Sequence, residues 1–207
     1  MVISGHYIYN NLSISQNPNI TEPLSNMISK IKPARVLEIG TFQGGLTLMI
    51  RDILDQYGLY QTDLTTYDIH DPVYLKNSIS TENKNITIKL ETLFCEKYIF
   101  FKNEETKNLL KNYIQQQGTT LILCDGGNKP SEFNLFAELI KKEDIIMAHD
   151  YAPNKEYFEE HMRDKIWNWH EIQDSDIQES CKKYHLTPYM QNEFLSVAWA
   201  CFIKQDT

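Results

Sequence analysis

Along most of the chain, short apolar runs rich in β-branched residues alternate with longer stretches whose apolar residues recur every three or four positions. That alternation is the mark of βαβ units around a parallel sheet. Five strands are predicted first, over residues 34–39 (ARVLEI), 64–69 (LTTYDI), 85–90 (NITIKL), 119–124 (TTLILC) and 144–148 (DIIMA). Leu24, Met27, Ile28 and Ile31 mark a helix entered through Thr21-Glu22-Pro23, with a hydroxyl at the cap and proline in the first turn. Further helices are predicted over 45–57 and 104–117, closed by Gly58 and Gly118 as left-handed caps, and over 131–142. Beyond residue 150 the pattern loosens. Residues 167–172 (WNWHEI) are expected as a sixth strand, 176–185 as a helix and 194–204 (FLSVAWACFIK) as a seventh strand. Residues 1–20 are Asn-rich and read as an irregular segment, residues 21–207 as a single domain.

Composition narrows the classes. A hydrophobic fraction of 42% is ordinary for a globular protein and excludes disorder as the main reading. No apolar run approaches the roughly 18–20 residues that span a bilayer. The start of the chain has neither a basic lead nor an uninterrupted apolar stretch, so no signal peptide is expected. Cys95, Cys124, Cys181 and Cys201 lie far apart without a CxxC pair, which points to reduced cytosol. The net charge of −8 argues against a broad nucleic-acid-binding surface. Lys141 and Lys142, like Lys182 and Lys183, read as solvated helix faces.

Candidate chemistry begins in VLEIGTFQGG, where a buried strand turns into a helix through Gly40, Gly44 and Gly45. Glycine permits positive φ and lets a ligand approach the backbone, and the helix that follows presents free N–H groups. A nucleotide-type cofactor is therefore expected over the strand ends, at the switch point of the sheet. The dinucleotide pattern GxGxxG and the phosphate-loop pattern GxxxxGK[ST] are both absent. Instead Glu38 stands two positions before Gly40, and Asp68 ends the second strand, where a carboxylate can accept from both ribose hydroxyls. That acidic cradle suits a cationic sulfonium cofactor better than a pyrophosphate.

VLEIGTFQGG resembles the first motif of class I S-adenosylmethionine-dependent methyltransferases, and the resemblance extends from about residue 20 to the end of the chain. It implies a Rossmann-like α/β three-layer sandwich with a seven-stranded, mostly parallel sheet whose last strand is antiparallel. It also implies that Glu38, Gly40, Thr41, Phe42, Gln43, Gly44 and Gly45 form the cofactor loop. Asp68 would hold the ribose and Thr92 the adenine edge, with Ile69 and Asp125 as further cofactor contacts.

A second constellation follows the fourth and fifth strands. Asp125 opens DGGNKP, and His149 and Asp150 follow DIIMA. Neighbouring parallel strands would bring these side chains together, and two carboxylates with an imidazole can hold a divalent cation. The arrangement is similar to that of metal-dependent O-methyltransferases of the catechol and the macrocin O-methyltransferase/cephalosporin-hydroxylase-like types. Asp125, His149 and Asp150 match their ligand positions, with His149 where those families carry an acid. Magnesium or manganese is the implied ion, and the histidine at an acidic position leaves iron, zinc or no metal as alternatives. Lys129 matches a catalytic base of the catechol type, and His149 is the competing base. Asn128 stands where the macrocin-like pattern has histidine.

The implied reaction is methyl transfer to an oxygen of a small-molecule or glycan acceptor, by in-line displacement at the sulfonium methyl. Rival readings are a nucleic-acid methyltransferase, another enzyme class on this fold, and a non-catalytic binder. DGGN differs from the [DNS]PP[YFW] of DNA N-methyltransferases. His6, His161, His170 and His185 read as surface or packing residues, as do Trp167, Trp169 and Trp199 in or beside the core. His70 keeps an active-site role open, and Tyr151, Tyr157 and Phe158 are read either as acceptor-pocket lining or as packing. The residues leave both monomer and homo-oligomer open.

Overall fold

The computed structural model describes residues 5–82, 85–96 and 98–206. The chain opens with an antiparallel hairpin, β1 (Tyr7–Tyr9) and β2 (Leu12–Ile14), and a 3-10 turn leads into α1 (Thr21–Ile31). Then come β3 (Arg35–Ile39), α2 (Gly45–Gln56), β4 (Asp63–Asp68), α3 (Val73–Glu82) and β5 (Ile86–Leu90). These are followed by α4 (Glu104–Ile114), β6 (Thr120–Cys124), α5 (Lys129–Ala137) and β7 (Ile145–His149). The last part holds α6 (Lys155–Tyr157), α7 (Asp174–Lys183), β8 (Leu186–Pro188), α8 (Gln191–Leu195) and β9 (Trp199–Lys204).

Seven strands form one sheet in the order β5-β4-β3-β6-β7-β9-β8. All neighbours are parallel except β9, which runs antiparallel to both β7 and β8. The sheet is buried on both faces, which is why its strands read as continuous apolar runs. In β6, Leu121 and Leu123 face a cluster with Met27 and Ile28 of α1 and Met49 and Ile50 of α2. Ile122 and Cys124 face the opposite cluster, with Leu110 of α4, Phe133 of α5 and Ile177 of α7. This is the expected Rossmann-like three-layer sandwich. No helix among the described residues is long and apolar enough to cross a membrane.

Several local expectations are corrected. Residues 7–9 and 12–14 of the segment read as irregular form strands, because Leu12 and Ile14 bury against α2; residues 1–4 of that segment lie outside the described residues. Thr21 does not cap α1: the preceding 3-10 turn puts Ile20 at the cap without a side-chain bond, and the Thr21 hydroxyl turns to Met49. Residues 167–172 form no strand of the sheet. Ile172 makes a single bridge to Tyr151, since β9 already occupies the flank of β7, and β8 supplies the seventh strand. α3 escaped the apolar pattern because Val73 and Tyr74 are exposed, while Leu75 is the one fully buried apolar side chain among the residues of this helix whose burial is described.

Candidate active site

From β3 the chain builds outward through β4 to β5, then returns to lay β6 on the other side of β3. The strand ends diverge at that switch point. A cavity of about 660 Å³ opens there, lined from the ends of β3, β4, β6 and β7 and from the loops beyond them.

At the β3 end, Gly40 has φ +92°, and a Cβ there would lie 2.2 Å from the Asp125 carbonyl oxygen. The close approach of the β3 and β6 ends thus demands glycine. A Cβ on Gly44 would enter the Leu75 side chain, and one on Gly45 would meet Ile14. The three glycines therefore answer to packing within the protein, and of them Gly40 reaches the cavity wall. Phe42, half exposed with φ +52°, donates its N–H to Asp68 Oδ2 at 2.8 Å. The His70 N–H donates to Oδ1 of the same carboxylate at 2.8 Å. Both bonds orient Asp68 at the cavity edge. Ile69 and Thr92 also line the cavity, as do His6 and His70.

Behind this wall stand the other predicted loop residues. Thr41 is buried against Thr66, hydroxyl to hydroxyl at 2.6 Å. Gln43 accepts from the Ser13 N–H at 3.3 Å and so faces the N-terminal hairpin. Glu38 is fully buried; Oε2 accepts from the Thr47 hydroxyl at 2.5 Å, and Oε1 has no partner. Burial pushes its pKa up to about 8, partly offset by the hydroxyls of Thr47 and Thr66. Glu38, Thr41, Gln43, Gly44 and Gly45 shape the turn without reaching the cavity.

The ends of β6 and β7 do bring Asp125, His149 and Asp150 together, with one ligand atom from each within 4.8 Å of the others. His149 Nδ1 lies 3.0 Å from Asp125 Oδ1 and 3.5 Å from Asp150 Oδ1. Its Nε2 is buried without a partner, and the ring sits between Trp167 and Trp199, each centroid 4.9 Å away. Burial opposes charge on this imidazole, but Asp125 and Asp150 outweigh it and raise its pKa. Asp150, at φ +58°, holds a backbone conformation that costs a non-glycine residue roughly 1–3 kcal/mol. Burial is overcome there too: His149 and Lys129 hold its carboxyl below the usual range.

Asn128 caps α5 by accepting from the Ser131 N–H at 3.1 Å, so Lys129 leaves the first turn of the helix toward the carboxylates. Its ammonium lies 2.9 Å from Asp150, 3.0 Å from Glu171 and 3.9 Å from Asp125. Burial works against the charge, yet these carboxylates raise its pKa above the ordinary lysine value. The lysine expected as a proton acceptor is thus ion-paired with three carboxylates in this arrangement.

Sequence reasoning missed several members of the site. Trp167 donates Nε1–H to Asp150 Oδ1 at 2.5 Å, and Glu171 supplies the third carboxylate around Lys129. Glu132 accepts from the N–H groups of Gly126 and Asn128, shaping the loop after β6. The aromatic density of WNWH was the available signal for this loop; Glu132 carried none beyond its place in a helix start. Tyr151 bonds Asp174, and Phe158 packs with Met162 and Trp167; neither lines the cavity.

No protein-family profile matches the chain, and no curated protein matches it in sequence. Solved structures do match. An apo structure of CmcI superposes with a TM-score of 0.65 at 12% identity, covering 97% of this chain and 77% of that one. They share a fold. CmcI with Mg-SAM gives 0.57 at 12% identity, covering 94% and 76%. An O-methyltransferase family protein from Burkholderia thailandensis gives 0.51 at 9% identity, covering 91% and 56%.

Proposed function

We propose that this chain is an S-adenosylmethionine-dependent methyltransferase that O-methylates a small molecule or glycan with the help of a divalent cation. One observation carries the reading. A single cavity has an oriented carboxylate, Asp68, at the end of β4 and a three-donor cluster at the ends of β6 and β7. The shared fold of CmcI, solved with Mg-SAM, supports it by analogy.

The residues fit both groups. Asp68 keeps acceptor capacity toward the cavity beyond its two backbone bonds. Bound there, S-adenosylmethionine supplies an electrophilic methyl group. Asp125, His149 and Asp150 offer oxygen and imidazole donors of the kind magnesium or manganese takes, and the unpartnered Nε2 leaves His149 unsatisfied by the protein alone. An ion held there supplies Lewis-acid polarisation of an acceptor hydroxyl. Lys129 places fixed positive charge at the cavity wall, where it stabilises negative charge on the acceptor oxygen. Where His149 is not a ligand, its imidazole is the group that competes to take the acceptor's proton. Asp68 would hold the ribose and Thr92 the adenine edge, with Ile69, Gly40 and Phe42 lining the cavity beside them.

Calorimetric titration with S-adenosylmethionine and S-adenosylhomocysteine, with and without magnesium or manganese, tests this on wild type and Asp68→Ala. Micromolar binding that Asp68→Ala abolishes is expected, with affinity linked to the metal. Absence of binding under every condition removes the reading.

A further inference from the structure

The N-terminal segment sends one side chain into the carboxylate cluster. Gln16 is 1% exposed and lies directly after the β1–β2 hairpin. Its Oε1 accepts from Trp199 Nε1 at 2.7 Å. An indole N–H can only donate, so it turns the amide's NH₂ end toward the cluster. That nitrogen donates to Asp125 Oδ2 at 2.6 Å and lies 3.4 Å from His149 Nδ1.

Asp125 is thereby held at both oxygens, Oδ2 by Gln16 and Oδ1 by His149 at 3.0 Å. Trp199 takes part twice, stacking on the His149 ring at 28° while fixing the amide. The seat of Gln16 is itself tied down. Asn17, also 1% exposed, donates to the Ile166 carbonyl at 2.8 Å and accepts from the Asn19 N–H at 2.9 Å. A buried amide is costly unless its hydrogen bonds are made, and packing alone would be served by leucine. Among the described residues, its side-chain hydrogen bonds run to two site residues and the tryptophan that stacks on one of them.

We propose that Gln16 is a positioning residue of this site: it sets the orientation of Asp125 against His149, and through it the affinity of the cluster for a divalent cation. The cation half rests on the function proposed above; the orienting half does not.

The test titrates Mn²⁺, and separately S-adenosylhomocysteine, into the full chain as wild type, Gln16→Leu and Trp199→Phe. Gln16→Leu is expected to weaken Mn²⁺ about 10-fold or more, as loss of an outer partner of a ligand does. Its affinity for S-adenosylhomocysteine, measured without metal, is expected to fall much less than its affinity for Mn²⁺, because Gln16 makes no hydrogen bond to the glycine turn or Asp68 among the described residues and reaches the cofactor side only through Asp125. Trp199→Phe, which removes the N–H that turns the amide, gives a smaller loss in the same direction, and the double variant loses no more than Gln16→Leu. Unchanged Mn²⁺ affinity in Gln16→Leu, or parallel loss of both ligands, overturns the proposal. Should Gln16→Leu fail to fold, the same two outcomes are read from Trp199→Phe. A wild type that binds no Mn²⁺ sinks the cation half, and one that binds no S-adenosylhomocysteine sinks the proposed function. In either case crystal structures of wild type and variant decide the orienting half. An Asp125 carboxylate turned away from His149 supports it, and a kept contact refutes it.

Discussion

Two buried carboxylates at nearby strand ends are pushed in opposite directions. Glu38, near the end of β3, lies among hydroxyls with one oxygen unpartnered, and burial lifts its pKa to about 8. Asp150, just after β7, is almost as buried, yet His149, Lys129 and the Trp167 N–H keep it ionised. The glycine end is built from backbone fit and neutral contacts. The opposite end is built from charges that compensate one another across distant segments. Burial alone therefore does not decide what a carboxylate does here; the presence of a counter-charge does.

The largest test of that contrast removes a charge partner. Asp150→Ala leaves the ammonium of Lys129 without its nearest carboxylate, and about 3–5 kcal/mol of stability should be lost in urea unfolding. Adding Lys129→Met should restore part of it, since the two residues act as a unit. A loss below about 1 kcal/mol would mean that Asp125 and Glu171 suffice, and the two ends would then differ less than the structure implies.

At the other end, Glu38→Gln should stabilise rather than destabilise as pH rises. The folded-state pKa of Glu38 lies above its unfolded value, so its favourable contribution is full below about pH 4.5 and is lost as pH rises through about 8. The amide does not titrate. The stability of Glu38→Gln relative to wild type should therefore climb between pH 5 and 8, by on the order of a few kcal/mol. A flat difference would show that Glu38 has a counter-charge after all.

Gly40→Ala comes next. Positive φ and the 2.2 Å approach to Asp125 act together, so a loss of more than about 2 kcal/mol is expected in the same unfolding assay. Gly58→Ala isolates the conformational part: φ is +72° but nothing lies within 4 Å of its Cβ, and about 1 kcal/mol should be lost. Equal losses at the two sites would show that the strand ends spread to admit a methyl group.

Much of the fold was legible because its signals are local. Five parallel strands fell within a residue or so of their places, since a sheet covered on both faces writes itself as apolar runs. α3 went unseen because amphipathic spacing near a surface is weak, and the sixth strand was misread because WNWHEI buries only Trp167 and Ile172 and makes one bridge rather than a ladder. At the site, the convergence of Asp68, Asp125, His149 and Asp150 on one cavity was legible because strand ends in a parallel sheet have predictable neighbours. Gln16, Trp167 and Glu171 were not, because nothing near them in the chain marks what they will touch.

The sequence by itself determined the alternation of strands and helices, the glycine turn, and which acids stand at which strand ends. All of these depend on residues close together in the chain. The tertiary structure alone decided that Lys129 pairs with three carboxylates, that Glu38 lies behind the cavity, and that Gln16 reaches Asp125 across 109 residues. Charge state and side-chain orientation depend on desolvation and on partners brought from distant segments, and those exist only once the chain has folded.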